Sequence, residues 1–169
     1  MGTRHITKII DTKGETVVSS YGQWDGYPMG QGLDIIEMLN QQGLIANLDS
    51  NIDSIKTLRT DEEIVTLLEA NGFTQNENGM VSMDESEKRK IAIPQIHRDT
   101  GSKIINLIAT NPGIETVFTE DSSWCEYVNT INLQTRVFEI DDLSGNPPIF
   151  TTSIDNPMTV EAYKSHFDD

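Results

Sequence analysis

One block of twelve residues, Tyr21-Gly22-Gln23-Trp24-Asp25-Gly26-Tyr27-Pro28-Met29-Gly30-Gln31-Gly32, constrains the fold more than any other part of the chain. Four glycines and a proline interrupt regular structure, so whatever precedes the block ends there and whatever follows begins anew. Before it, residues 4–10 (RHITKII) and 15–21 (ETVVSSY) alternate loosely, and Asp11-Thr12-Lys13-Gly14 supplies turn chemistry between them. After it, Leu33, Ile36, Met38 and Leu39 recur at helical spacing, and Gly43 sits where a helix should stop. The block therefore joins a β-hairpin to a helix.

Further along, helical structure is expected near residues 50–58. Thr60 with Glu63 three residues on forms a capping-box pattern, ahead of an apolar face of Ile64, Val65, Leu67 and Leu68 that Gly72 ends. Residues 74–90 (TQNENGMVSMDESEKRK) are polar and read as a mobile loop or lid, with room for a short strand at Gly79–Met83. Asp99 or Thr100 can cap a helix containing Ile104, Ile105, Leu107 and Ile108, which Asn111-Pro112-Gly113 terminates. Residues 124–131 (WCEYVNTI) and 136–141 (RVFEID) form a second hairpin about Asn132-Leu133-Gln134-Thr135. Residues 149–154 (IFTTSI) read as another strand, and the last dozen residues as a short helix or ordered tail. Two hairpins separated by helices predict one α+β domain over residues 1–169, with a mainly antiparallel sheet packed with helices. An Ntn-hydrolase-like layering is compatible with this order of elements. Removal of Met1, however, would expose Gly2, which has no nucleophile, and Thr3 would need a further cleavage.

Composition narrows the function. The 169 residues are enough to bury roughly 70% of the unfolded surface without a metal or disulfide. Lys and Arg number 12 against 27 Asp and Glu, a net charge of −15 that disfavours bulk nucleic acid and anionic membranes. No apolar run approaches the roughly 20 residues of a membrane span, and the N-terminus lacks a signal-peptide pattern. A single cysteine, Cys125, fits a reducing, cytoplasmic setting. The three histidines, His5, His97 and His166, show no metal-ligand spacing, so neither metal nor cofactor is expected.

The glycine block also carries chemistry. Tyr21, Trp24 and Tyr27 suit stacking on a flat ring, and Gln23 and Asp25 can read its edge or a ribose hydroxyl. Gly30, Gln31 and Gly32 bring backbone N–H groups to a helix start, where an anion is favoured. Arg4 and His5 add positive charge from the preceding strand, and Arg98, in His97-Arg98-Asp99-Thr100-Gly101-Ser102-Lys103, can join from a second helix start. Together these residues suit a nucleotide-like small molecule. The same aromatics and glycines equally suit a core and a tight turn. Neither GxxxxGK[ST] nor GxGxxG occurs. Cys125 reads as a small buried hydrophobe before it reads as a nucleophile.

The chain resembles an uncharacterised family of small proteins from bacteriophages, bacteria and fungi. The likeness lies in the Gly2-Thr3-Arg4-His5 start, the Tyr21–Gly32 block with Met29 at its variable place, the Arg98–Ile104 segment, and Cys125-Glu126-Tyr127-Val128. The aromatic spacing of the last motif is shortened here. The resemblance implies no activity, but it implies a phage or bacterial source, and hence the host cytoplasm for a phage protein. In that setting the expected function is sequestration of an immune signal, a cyclic nucleotide or cyclic ADP-ribose derivative, by a homo-oligomer. The alternatives are a hydrolase or phosphodiesterase acting on such a ligand, with His5 or His97 as acid/base, and an acidic inhibitor that binds a host defence protein.

Overall fold

The computed structural model describes residues 2–74, 76–78 and 83–168. Strands β1 (His5–Ile10) and β2 (Thr16–Gly22) form the first hairpin. Its turn is local chemistry: the Asp11 carboxylate accepts the N–H groups of Lys13 and Glu15, each at 2.9 Å, and Gly14 takes a φ of 87°. β5 (Tyr127–Asn132) and β6 (Val137–Asp141) form the second hairpin, where Asn132 Oδ1 accepts the N–H groups of Gln134 and Thr135. β7 (Phe150–Ser153) pairs with β6. The sheet order is β2-β1-β5-β6-β7; β1 and β5 run parallel at the centre and every other pair is antiparallel. The fold is α+β with a mostly antiparallel sheet, built from the two hairpins.

Helices α1 (Leu33–Leu39), α2 (Leu44–Asn51), α5 (Ile104–Thr110) and α6 (Val160–Phe167) contribute to the main core. Ile9, Val18, Ile131, Phe138 and Ile140 from the sheet meet Ile35, Ile36, Leu48, Ile105 and Ile108 from the helices. Tyr163 of α6 is fully buried, edge-on to Phe150 at 4.9 Å, and its hydroxyl donates to the Pro28 carbonyl at 2.8 Å. The C-terminal residues are thus a docked helix. Ile6 and Val128, on the opposite face of the sheet, form a smaller cluster with Cys125 and Tyr21.

α3 (Asp61–Ala70) starts on the Thr60–Glu63 capping box, both halves of which are made. Four expectations are corrected. The helical reading of residues 50–58 gives way after Asn51: a 3₁₀ turn at Ile52–Ser54 leads into β3 (Lys56–Leu58), which pairs in parallel with β4 (Glu115–Val117). This pair lies against β2, with Thr119 N–H donating to the Ser19 carbonyl at 2.8 Å. The polar segment 74–90 is a helix in its second half, α4 (Met83–Ala92), while the strand expected at Gly79–Met83 falls on residues 79–82 outside the described ones and on Met83, where α4 begins. Asp99 is not a helix cap: a 3₁₀ turn at Gly101–Lys103 leads into α5, and no side chain caps it. An Ntn-type sandwich stacks two large sheets, whereas the second sheet here is the two-stranded β3–β4 pair. Among the described residues no helix is long and apolar enough to cross a membrane.

Candidate functional site

The glycine block folds chiefly onto itself. Asp25 adopts a left-handed φ of 55°, and its carbonyl accepts the Gln31 N–H at 2.8 Å. Pro28–Gly32 forms a π-helical turn that runs into α1. A Cβ at Gly30 would overlap the Asp25 carbonyl, and one at Gly32 would overlap the Tyr163 hydroxyl. The N–H groups of Gln23, Gly26, Gly30 and Gln31 bond to the carbonyls of Arg98, Thr3, Tyr27 and Asp25 respectively. Of the donors read from the sequence as an anion site, the Gly30 and Gln31 N–H groups are thus committed to the loop's own shape, while those of Gln23 and Gly26 tie the block to its neighbours.

His5 is fully buried where β1 passes under the 3₁₀ turn at Gly101–Lys103. A Cβ at Gly22 would overlap its Nε2, and one at Gly101 would approach it to 3.2 Å. Among the described residues neither ring nitrogen has a hydrogen-bond partner, and burial pushes the imidazole down to about 4. Gln31 ties the block to the same turn, its Oε1 accepting Ser102 N–H at 2.8 Å and Ser102 Oγ–H at 2.7 Å.

Arg4, Tyr21, Gln23 and Arg98 come together elsewhere, at the sheet end beside Trp124. The Arg4 guanidinium meets Glu126 at 3.1 Å and lies 5.9 Å from the Trp124 ring centre. That hydrogen-bonded contact holds the Glu126 carboxyl below its ordinary value. Tyr21 packs on Trp124 at 4.6 Å between ring centres, and its hydroxyl donates to Gln23 Oε1. Arg98, largely exposed, lines a small cavity of about 160 Å³ with Tyr21 and His97. Trp24 and Tyr27 are 46% and 43% exposed. Cys125 is buried among Ile6 and Val128, and burial pushes its thiol up. Cys125 is thus packed as a hydrophobe on the other side of the sheet from His5.

The larger cavity, about 460 Å³, was not legible in the sequence. Asp34, Glu37 and Met38 of α1 line it, with Lys90 of α4, and Lys103 and Asn106 at the start of α5. Asp34 and Glu37 stand three residues apart on the polar side of α1, and Lys103 and Asn106 repeat that spacing. Burial, with Glu37 alongside, pushes the Asp34 carboxyl above its ordinary value, and Lys103 opposes the shift. Asp99 also lines the cavity. Trp24 Nε1 donates to its Oδ1 at 3.0 Å, and Lys90 Nζ stands 3.5 Å from its Oδ2. Through this contact Trp24, and with it the glycine block, reaches the cavity wall. The segment 94–100 separates the two cavities, presenting Pro94, Asp99 and Thr100 to the larger one and His97 and Arg98 to the smaller.

His97 is buried and engaged at both nitrogens. Nδ1 accepts the Asp99 N–H at 3.2 Å, which places the ring proton on Nε2, 3.0 Å from Ser86 Oγ. Among the described residues, no group of three or more His, Cys, Asp and Glu is arranged to hold a metal ion. Comparison with known proteins matches the chain to no family model, no curated protein and no solved structure.

Proposed function

We propose that the protein binds a nucleotide-like small molecule in the cavity between α1, α4 and α5. The observation that supports this reading is the cavity itself: about 460 Å³, within the usual size of ligand sites, with two lysines and three carboxylates, Asp34, Glu37 and Asp99, in a part-apolar wall. Lys90 and Lys103 suit a phosphate. Asp34 and Glu37 suit ribose hydroxyls or an exocyclic amine as acceptors.

Binding without turnover is the better supported of the two small-molecule readings. A general acid or base must face the ligand. His97 lines the smaller cavity and not this one, with both ring nitrogens engaged, by the Asp99 N–H and Ser86 Oγ. His5 is enclosed. In a phage, such a binder would sequester a nucleotide signal.

Thermal unfolding against mono-, di- and cyclic nucleotides and ADP-ribose derivatives tests the reading, with chromatography of each mixture afterwards. A ligand at 100 times its Kd adds about 2.7 kcal/mol, a rise of roughly 5–10 °C for a domain of this size. The expected result is a shift with the ligand recovered intact, lost in Lys103→Ala. No shift across the panel removes the proposal, and recovery of products replaces it with an enzyme.

A further inference from the structure

Asp99 faces in two directions. Its Oδ2 stands 3.5 Å from Lys90 Nζ inside the cavity wall, while its Oδ1 accepts from Trp24 Nε1 at 3.0 Å and lies 4.0 Å from Arg98 Nε. Its side chain is 23% exposed. As the wall stands, three carboxylates, Asp34, Glu37 and Asp99, oppose two ammonium groups, Lys90 and Lys103. An anion entering the cavity meets a net negative wall, and one of its two cations already has a partner. Asp99 has somewhere else to turn: Trp24 and Arg98 offer an N–H and a guanidinium on the side away from Lys90.

We infer that Asp99 is an internal competitor for the anionic group of the ligand, holding Lys90 until a phosphate takes its place and leaves Asp99 to Trp24 and Arg98. This rests on the cavity being the ligand site. It makes Asp99 a specificity-determining residue: only a group more strongly anionic than a carboxylate, able to engage Lys90 and Lys103 at once, recovers what the exchange costs. A dianionic phosphate meets that condition, and a neutral nucleoside does not. Trp24 reports the exchange, because its indole N–H is bonded to the moving carboxylate.

The experiment titrates adenosine monophosphate, adenosine and pyrophosphate into the full chain carrying Trp124→Phe, so that Trp24 is the only indole, and reads its emission. Asp99→Asn keeps an oxygen for Trp24 and removes the charge. It is expected to bind the phosphate-bearing probes roughly 1.5- to fivefold more tightly, the range set by one partly exposed ion pair. Lys90→Gln is expected to weaken binding, and Asp99→Asn added to Lys90→Gln is expected to give no such gain. Circular dichroism confirms that each variant is folded. Binding by the parent that is unchanged or weakened in Asp99→Asn overturns the competitor role and leaves the cavity reading standing. An equal gain with and without Lys90 overturns it as well. Absence of binding by parent and Asp99→Asn alike overturns the cavity reading, and the inference with it.

Discussion

Acidification should destabilise this protein through His5 before its carboxylates titrate. The imidazole is fully buried under Gly101, has no hydrogen-bond partner at either nitrogen among the described residues, and is pushed from 6.5 to about 4 by burial. Unfolding releases it to its ordinary value, so between these values the unfolded chain binds a proton that the folded chain refuses, and stability falls as pH falls. The two values differ by about 2.5 units, so the full loss below pH 4 is roughly 3 kcal/mol, of which about 2 kcal/mol has gone by pH 5. His97, also held down by burial, has the same sign, while Asp34, held up, has the opposite one. Glu63 and Glu126, held below their ordinary values by hydrogen bonds, contribute stability that is lost only as pH falls through the carboxylate range. The clean quantity is therefore a difference. Urea unfolding of the parent and of His5→Gln at about pH 7, 6 and 5 should show the parent losing roughly 2 kcal/mol more than the variant. Parallel profiles for the two proteins would refute the reasoning, as would a His5 ring resonance in the folded state that titrates near its ordinary value.

Three more outcomes follow from the packing. Gly101→Ala and Gly43→Ala both place a side chain at positive φ, 55° and 82°, but only at Gly101 does the new Cβ press on Gln31 Oε1 and His5; denaturant midpoints should show about 1–2 kcal/mol lost at Gly43 and clearly more at Gly101. Arg136 joins Asp49 at 2.8 Å to Asp155 at 2.7 Å, so Arg136→Ala should cost about 1–2 kcal/mol in denaturant unfolding and Arg136→Lys should restore less than half, since one ammonium cannot serve both carboxylates. The buried Cys125 thiol, held up by burial, should react with a thiol reagent in the folded protein far more slowly than in urea; equal rates would place it at the surface.

What the sequence made legible was what neighbours in the chain decide. Both hairpin turns rest on one Asp or Asn side chain accepting N–H groups within four residues, and α3 rests on a capping box three residues long. The illegible parts depend on distant partners. β3 and β4 are three residues each and exist because Lys56–Leu58 meets Glu115–Val117 across the fold. α4 is charged over most of its length and shows no apolar face to a periodicity reading; it is tethered by the Ser86–His97 contact and by Ile93, buried against Leu68 and Phe73 just beyond its end. The larger cavity takes its charged walls from α1, α4, the Asp99 turn and the 3₁₀ turn before α5, so no single stretch announced it. Asp99 read as a helix cap because its neighbours permit one, whereas Trp24, far off in sequence, claims its carboxylate.

The glycine block shows why loss of binding alone is a poor test of contact in this protein. Gly22 admits His5, Gly30 admits the Asp25 carbonyl, and Gly32 admits the Tyr163 hydroxyl. The last two lie in the turn that leads into α1, and so bear on where Asp34 and Glu37 stand in the cavity wall. A substitution such as Gly32→Ala should disturb ligand binding from the core side, lowering stability by about 2 kcal/mol or more as Tyr163 gives way. Trp24 is different: it is half exposed, and its one polar bond is to Asp99 at the cavity wall. Trp24→Phe keeps an aromatic ring at a half-exposed position and removes the indole N–H together with the rest of the pyrrole ring, so its cost in stability should stay near about 1 kcal/mol while nucleotide affinity changes. Measured side by side, urea midpoints and nucleotide affinities should separate the two variants, with Gly32→Ala changing both quantities strongly and Trp24→Phe changing affinity out of proportion to its small loss of stability. A Trp24→Phe protein with unaltered nucleotide affinity would show that the block supports the cavity only as architecture, with no part of it reaching the ligand through Asp99.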